Sequence, residues 1–433
     1  MKFETPPETS KLEDQVFKDF FSGKYSEFLQ KTDQRYFYWD EIKHRKDLPY
    51  KDPLITWSLV KLHRQGNYKK VKFGGEVFHY FLTTPIQQYL HEFDLKLIVG
   101  LYKSPITEYD KAEYLKNSIL EEAVASSQIE GAATTTEAAF DMLKKGREPR
   151  DESEQMIFNN LRGIRFIKEE VEKPLTKELI IEIHRMMTAN TSAEYCAGGF
   201  RKEQIYVQDH VDGEIAHVPP SHDSVDSYIN DLVDFVNSEK AFMHPIIKAS
   251  IIHFMFGYIH PFMDGNGRTA RALFYWYLIK KEYSLIENVS ISRAILNSRT
   301  QYDKAFLKTE NDNKDLTYFI NYSMKNLRVA FESLIKYRDK KKTQKENANL
   351  IAYKIMEHGL LRRQADLIGF LFGNPKSKIN LTAYSEKHNI VRQTARKDLN
   401  ELLRIGLIKE EKEGRNKLFS LSTEDAIAKF LEK

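Results

Sequence analysis

The sequence predicts a mainly α fold with one short β-hairpin and a C-terminal domain that adds two short strands to a pair of helices. Three observations carry this expectation. Apolar residues recur at helical spacing through most of the chain, as in Ile157, Leu161, Ile164 and Ile167, and again in Ile246, Ala249, Ile252, His253 and Phe256. Two β-favouring runs flank an Asp-Gly pair at 212–213, which reads as a hairpin. Beyond residue 374, two short helical patterns meet at His388-Asn389 and are followed by two β-favouring runs around Gly414.

Composition bounds the function classes. The chain has 433 residues, 41% hydrophobic and 30% charged, enough apolar material for sizeable cores and about three domains by length. A net charge of +4 over that length is too small to argue for nucleic acid by itself. Cys196 is the single cysteine, so no intrachain disulfide framework is possible. Met1 to Glu8 lacks the apolar core of a signal peptide, and no run of eighteen apolar residues exists, so the expectation is a cytoplasmic protein without a membrane partner.

In chain order, residues 1–95 are rich in aromatics but hold no catalytic cluster. Phe17, Phe20, Phe21 and Tyr25, the run Tyr36 to Trp39, and Trp57, Val60 and Leu62 are expected to be core of a helical extension rather than the lining of a target groove. Ala112, Leu115, Ile119, Leu120, Ala123 and Val124 form an apolar helical face ending at Ser126-Ser127-Gln128-Ile129-Glu130-Gly131, where Gly131 stops the helix. Thr134 with Glu137 then suggests a capping box for a helix ending near Gly146. Two amphipathic helices follow, separated by Pro174, with Thr176 as N-cap of the second. The hairpin strands are expected over Gln204, Ile205, Tyr206 and Val207 and over Ile215, Ala216, His217 and Val218, with a turn through Asp209 to Gly213.

The densest chemistry lies in His260-Pro261-Phe262-Met263-Asp264-Gly265-Asn266-Gly267-Arg268-Thr269-Ala270-Arg271. It joins a buried helix over Pro245 to Tyr258 to a second beginning near Gly267. A Gly-Asn-Gly turn presents backbone N–H groups at a helix start, with the positive end of the dipole behind them, which suits a phosphate. Arg268 and Arg271 share a helix face and can point at one polyphosphate. Asp264 is placed to hold Mg²⁺, which takes one carboxylate plus phosphate oxygens. His260 reaches the same mouth as a general base. Together the parts imply nucleotide-dependent group transfer.

This stretch resembles the motif of the Fic family, His-x-Phe-x-(Asp/Glu)-Gly-Asn-Gly-Arg-x-x-Arg, and fills every defined position. The resemblance, covering roughly residues 110 to 310, implies a Fic-type helical core that transfers AMP from ATP to a Ser, Thr or Tyr hydroxyl of a target protein and of itself. It implies that His260 deprotonates the acceptor, that Asp264 holds Mg²⁺, that Gly265, Asn266, Gly267 and Arg268 bind phosphates, and that Arg271 binds the γ-phosphate. Glycine rather than lysine at 267 implies AMP rather than phosphate transfer. Ser126, Glu130 and Gly131 are similar to the family's inhibitory-helix motif, (Ser/Thr)-x-x-x-Glu-(Gly/Asn). That likeness implies a helix at about 112–131 whose Glu130 pairs with Arg271 and keeps the γ-phosphate out. A hairpin at the predicted place implies a flap that holds a target segment by strand pairing. Ile291 to Phe306 reads as helical, and Asn297 and Tyr302 fall where the family often contacts the nucleotide; at this spacing Tyr302 can equally be core.

A helix over Leu316 to Leu334 closes this domain. The polar stretch 337–349 reads as a linker or a solvated helix, and an amphipathic helix follows over Leu350 to Leu371. The tail, with helices from Leu381 and over Gln393 to Arg404, resembles a winged helix whose second helix exposes Arg392, Gln393, Arg396 and Lys397. These residues suit DNA, whereas Glu410, Glu411 and Glu413 suit a protein-docking module. The expected organisation is therefore 1–95 as a helical extension, 96–336 as the catalytic domain, and 337–433 as a linker helix and winged helix. Two other readings stay open: removal of AMP with Glu130 orienting water, and a DNA-binding regulator that senses nucleotide, against which His260 argues because sensing needs no base. Target, releasing signal and homodimer formation are not specified by these residues.

Overall fold

The computed structural model describes residues 4–95, 108–208, 213–375, 377–413 and 416–432. It is mainly helical, as predicted, with three small antiparallel sheets among the described residues, one of them (Lys69–Tyr80) unexpected. The chain divides into two compact units, 1–334 and 335–433. The expected turn through Asp209 to Asp212, Gly414, the side chain of Ala112 and residues 1–3 lie outside the described residues.

Two helices form the centre of the first unit. Pro245–Ile259 is apolar on every side and almost wholly buried, as a helix of this composition must be. Asn266–Lys280 packs beside it, with Leu273, Trp276 and Leu278 fully buried. Glu108–Ile129, Glu152–Glu169 and Lys177–Thr188 surround this pair. Thr176 caps the last of these through Leu179 N–H, as its sequence position predicts.

Several local expectations are corrected. Residues 1–95 are not helical throughout. Lys69–Phe73 and Glu76–Tyr80 form a hairpin around Gly74-Gly75, both at positive φ as a tight two-residue turn requires. A Cβ on Gly74 would also sit 2.2 Å from the Tyr228 ring. Tyr25, Tyr36, Phe37, Tyr38 and Trp57 are core, but Phe21 is 77% exposed because the Asp14–Phe21 helix turns Val16 inward instead. The helix after Gly131 is capped by Thr135, not Thr134, whose carbonyl accepts from Gln128 Nε2 at 3.0 Å and is held outside the helix. Ile291 to Phe306 is two helices, Ile291–Asn297 and Arg299–Asn311, broken at Ser298.

The polar stretch 337–349 is helical, part of Thr317–Glu357. The expected Leu350–Leu371 helix is broken at Gly359, whose φ is +87°. The break lets Arg362–Gly373 lie close against the preceding helix. A Cβ on Gly369 would stand 2.7 Å from the Ala348 carbonyl oxygen, so glycine sets that spacing. The rest of the second unit contains Leu381–Lys387, Arg392–Arg404 and Glu424–Leu431. Its three-stranded sheet runs in the order Ile379–Asn380, Asn416–Leu421, Ile408–Glu413. Leu367, Ile368, Leu371, Tyr384, Leu399, Leu402 and Phe419 form its core.

Candidate active site

The site begins where the Pro245–Ile259 helix stops. His260 adopts the left-handed conformation at φ +49°, its N–H returning to the Phe256 carbonyl, and Pro261 prevents further helix. The loop then closes on itself, since Asn266 accepts from Phe262 N–H at 2.9 Å and donates to its carbonyl at 2.8 Å. Gly265 has φ +77°, and a Cβ there would press on Thr188 at 2.9 Å and on His184 Nε2 at 3.0 Å.

His260 Nδ1 lies 2.9 Å from the Gly257 carbonyl oxygen. A carbonyl only accepts, so Nδ1 carries the proton and Nε2 keeps its lone pair. Burial, partly opposed by that bond, pushes the imidazole down to about 4 from 6.5. His260 is therefore neutral near pH 7, the form a base requires.

The two arginines of the motif helix are buried, at 2% and 3% exposure. Arg268 donates through Nη1 to the Met187 carbonyl at 2.6 Å, and its Nη2 lies 3.8 Å from Asp264 Oδ1. Arg271 donates through Nε to Ser126 Oγ at 2.9 Å, and through Nη2 to the Ser126 carbonyl and to Glu130 Oε1, both at 2.9 Å. Among the described residues, Arg268 Nε and Arg271 Nη1 are buried donors without a partner. An unpaired buried donor is costly, so these N–H groups suit an anion that enters the site. Asp264 is half exposed (55%) and accepts from Gly265 N–H.

Glu130 ends the Glu108–Ile129 segment, and other residues hold it in place. Glu122, buried in the same helix, accepts from Tyr275 Oη at 2.8 Å and Ser292 N–H at 2.9 Å. Arg299 Nη1 donates to the Ile129 carbonyl at 2.8 Å. A Cβ on Gly267 would lie 2.2 Å from Glu130 Oε1, so the carboxylate fills the space directly over that glycine. Burial raises the Glu130 pKa, but Arg271 and Arg268 outweigh it and leave the group below its ordinary value.

A cavity of about 520 Å³ has Glu130, Gly267, His260, His217, Tyr302 and Glu310 in its wall, whereas Asp264, Arg268 and Arg271 are not among its lining residues. Val207 and Ala216 also line it. The hairpin strands are Val207–Gln208 and Ile215–His217, shorter than expected, paired Val207 with His217 across an irregular register. Ile205, Tyr206 and Val218 lie outside the strands, Tyr206 and Val218 more than half exposed. His217 ties its strand to the helices, with Nε2 2.8 Å from the Tyr258 carbonyl oxygen and Nδ1 2.8 Å from Glu310 Oε2. Tyr302 is at once core and cavity wall: it is 9% exposed and its hydroxyl lies 3.1 Å from His253 Nε2. Asn297 ends its helix with an exposed side chain and is not among the residues lining the cavity.

Two residues that organise the site went unread in the sequence. His184 stacks on Phe262 at 3.6 Å and 7°, and its Nε2 lies 2.8 Å from the Asp264 carbonyl oxygen. Burial holds it down to about 4, so it supports the loop as a neutral donor. Its place on the apolar face with Ile180, Ile183 and Met187 was the available signal. Arg201 is 4% exposed. Its N–H donates to the Pro261 carbonyl at 2.8 Å and its Nε to the His260 carbonyl at 2.9 Å, and its Nη2 donates to the Pro220 carbonyl at the end of the hairpin.

Comparison with known proteins agrees with this geometry. The Fic/DOC family model matches residues 174–278, and a model described as the C-terminal domain of SoFic-like protein adenylyltransferase matches residues 361–422. The chain is 36% identical over 110 residues to a protein adenylyltransferase Fic of Aedes aegypti, and 39% over 100 residues to one of Nematostella vectensis. These alignments take in 25% and 23% of this chain and 20% and 22% of the relatives, so it spans about a fifth of their length. In fold, it is similar to a Fic family protein from Desulfovibrio desulfuricans (TM-score 0.53, 17% identity, 78% of this chain and 96% of that one). It is also similar to residues 134–508 of C. elegans Fic-1 (TM-score 0.51, 19% identity, 75% and 87%). Residues 174–278 thus match the Fic/DOC family model, and residues 361–422 match the model described as the C-terminal domain of SoFic-like protein adenylyltransferase.

Proposed function

We propose that the chain transfers AMP from ATP to a hydroxyl side chain of a target protein and of itself, and that Glu130 restrains the reaction. The supporting observation is the arrangement around His260. Its Nδ1 proton is committed to Gly257, which leaves Nε2 beside a cavity whose wall includes Glu130 and, from the motif helix, Gly267 and Ala270. The same helix carries two buried arginine donors, Arg268 Nε and Arg271 Nη1, that are unfilled among the described residues. In this reading His260 takes the proton of the target hydroxyl. The oxygen then bonds to the α-phosphorus, and the bond to the bridging oxygen breaks to release pyrophosphate. Arg268 and the backbone at Gly265 to Gly267 hold phosphate oxygens in place, so positioning and electrostatics lower the barrier. Asp264 fits Mg²⁺ in its chemistry, being one accessible carboxylate beside a phosphate site. When bound, the ion would neutralise charge on the phosphates.

Glu130 occupies Arg271, the arginine assigned to the γ-phosphate, so the pair excludes a productive nucleotide until it opens. The hairpin supports strand pairing with a target segment, because Val207, Ala216 and His217 border the cavity. Removal of AMP, with Glu130 orienting water, remains the second reading, since Glu130 shares the cavity wall with His260. We assign 1–95, 96–336 and 337–433 to an extension, a catalytic domain, and a linker with a winged helix.

The test is intact-mass measurement of AMP incorporation with Mg²⁺-ATP. In a Glu130→Gly background, His260→Ala is expected to abolish incorporation while nucleotide binding stays within a few-fold. Unchanged incorporation would sink the assignment. Loss of AMP from a modified protein that requires Glu130 would favour the second reading.

A further inference from the structure

The Arg392–Arg404 helix of the second unit turns Ala395, Leu399 and Leu402 into its core, at i, i+4 and i+7. Its opposite face exposes Arg392, Gln393, Arg396, Lys397, Asn400 and Arg404. The helix also carries two acids, and both are used internally. Asp398 is 3% exposed and takes a two-pronged grip from Arg363, at 2.5 and 3.0 Å, while Glu401 accepts from Gln364 at 2.8 Å. The outward face is therefore four cations and two amides, with no carboxylate. Among the described residues, Arg396, Lys397 and Arg404 form no ion pair.

The acids on the neighbouring strands do not cancel this charge. Glu411 is held by Lys378 at 2.6 Å and Lys409 at 3.1 Å, which bring its carboxyl down to about 2. Glu410 pairs with Lys417 at 2.8 Å. Two of the three acids that suggested protein docking, Glu410 and Glu411, are thus already paired with lysines.

The turn in front of this face is held by hydrogen bonds. Leu381–Lys387 connects to it through four residues, with Asn389 at φ +49°. Ile390 N–H donates to the Ser385 carbonyl at 3.0 Å, and Ser385 Oγ returns to the Ile390 carbonyl at 2.6 Å. Arg392 Nη2 reaches Thr382 Oγ1 at 2.9 Å and links the two helix starts. Cations and a glutamine in the first two turns of a helix braced by a second helix match how duplex DNA is read. The width of a helix suits the major groove, arginine and lysine meet phosphates or guanine, and glutamine can pair with adenine.

We infer that the exposed face of Arg392–Arg404 is a docking surface for the major groove of duplex DNA. Three to four phosphate contacts predict a slope of log affinity against log salt of about −3 to −4. The full chain should bind a fluorescein-labelled duplex of about 25 base pairs in anisotropy titrations between 50 and 200 mM salt, with this slope. Arg396→Ala combined with Lys397→Ala should weaken binding roughly tenfold at intermediate salt and flatten the slope by about two. Arg396→Lys with Lys397→Arg should keep the slope, and both variants should keep the thermal midpoint and the AMP transfer of the parent. Absence of salt-sensitive duplex binding overturns the inference, as does equal binding by the alanine variant. Equally tight binding of single-stranded or duplex RNA also overturns it, since the groove reading would then be wrong.

Discussion

Two ion pairs in the first unit use similar chemistry for opposite ends. Lys61 and Asp312 meet at 2.7 Å with both side chains 2% exposed, roofed by Tyr68 and Tyr318 hydroxyls and by Arg64. Arg271 and Glu130 meet at 2.9 Å, but Glu130 is 26% exposed and stands in a cavity wall. The first pair joins the N-terminal extension to the end of the Arg299–Asn311 helix with no route for a competitor. The second leaves Arg271 Nη1 unpaired among the described residues, close to the space that Glu130 fills. A sealed pair is architecture, because losing one partner strands a buried charge. An open pair beside an unfilled donor leaves room for a competing anion, which is the basis of the proposed restraint.

That contrast breaks most directly at Glu130. Glu130→Gly is expected to raise self-modification by tenfold or more, and adding Arg271→Ala should remove the gain, read as AMP incorporation by intact mass. No gain in the single variant would make the helix end purely structural. In stability the order reverses. Asp312→Ala should cost about 3–5 kcal/mol in denaturant unfolding, because Lys61 is left buried and unpaired. Glu130→Gly should cost well under half of that, and an equal cost would erase the distinction.

A smaller effect sharpens how closely the glycine turn is fitted. Gly265→Ala must hold positive φ and press on Thr188 and His184, at about 1–3 kcal/mol of strain, and should reduce AMP transfer through the displaced loop. Its failure to alter either quantity would show a looser turn than the geometry indicates.

The smallest effects expected are those of pH. Glu130 has a lowered pKa, so its pairing is complete above its ordinary 4.5 and is lost only as pH falls through the lower folded value. Inhibition should thus be flat from pH 6 to 8. His260 is held at about 4, so Glu130→Gly should show no step near 6.5 in its rate profile, only a fall toward pH 4. His184, His253 and His260 all resist protonation while the unfolded chain accepts it, so stability should decline as pH drops below 6.5. A transfer step centred near 6.5 would show that His260 is not held by burial.

The stretch 260–271 was legible because its order of residues is its geometry. A buried helix, a left-handed stop, two glycines and a second helix follow one another locally, so His260, Asp264 and both arginines come together from twelve consecutive positions. The strand assignments were less legible. The Lys69–Tyr80 hairpin is short and mixes lysines with aromatics, so its alternation was hidden although Gly74-Gly75 marked the turn. The 337–357 stretch continues as helix because helical propensity suffices where no breaker intervenes, and Gly359 supplies the break that a purely apolar count passes over.

By itself, then, the sequence determined the turn at 260–271 and the helices on either side of it, since periodicity and turn residues act over a few positions. Only the tertiary structure decided which charges are spent and which remain. Glu130 meets Arg271 across 141 positions, Asp398 is claimed by Arg363 across 35, and His184 finds the Asp264 carbonyl across 80. A carboxylate or an imidazole has the same formal character in the sequence wherever it lies. Its partner and its burial set whether it occupies an arginine, supports a loop or leaves a basic face uncovered, and both are products of packing between segments distant in the chain.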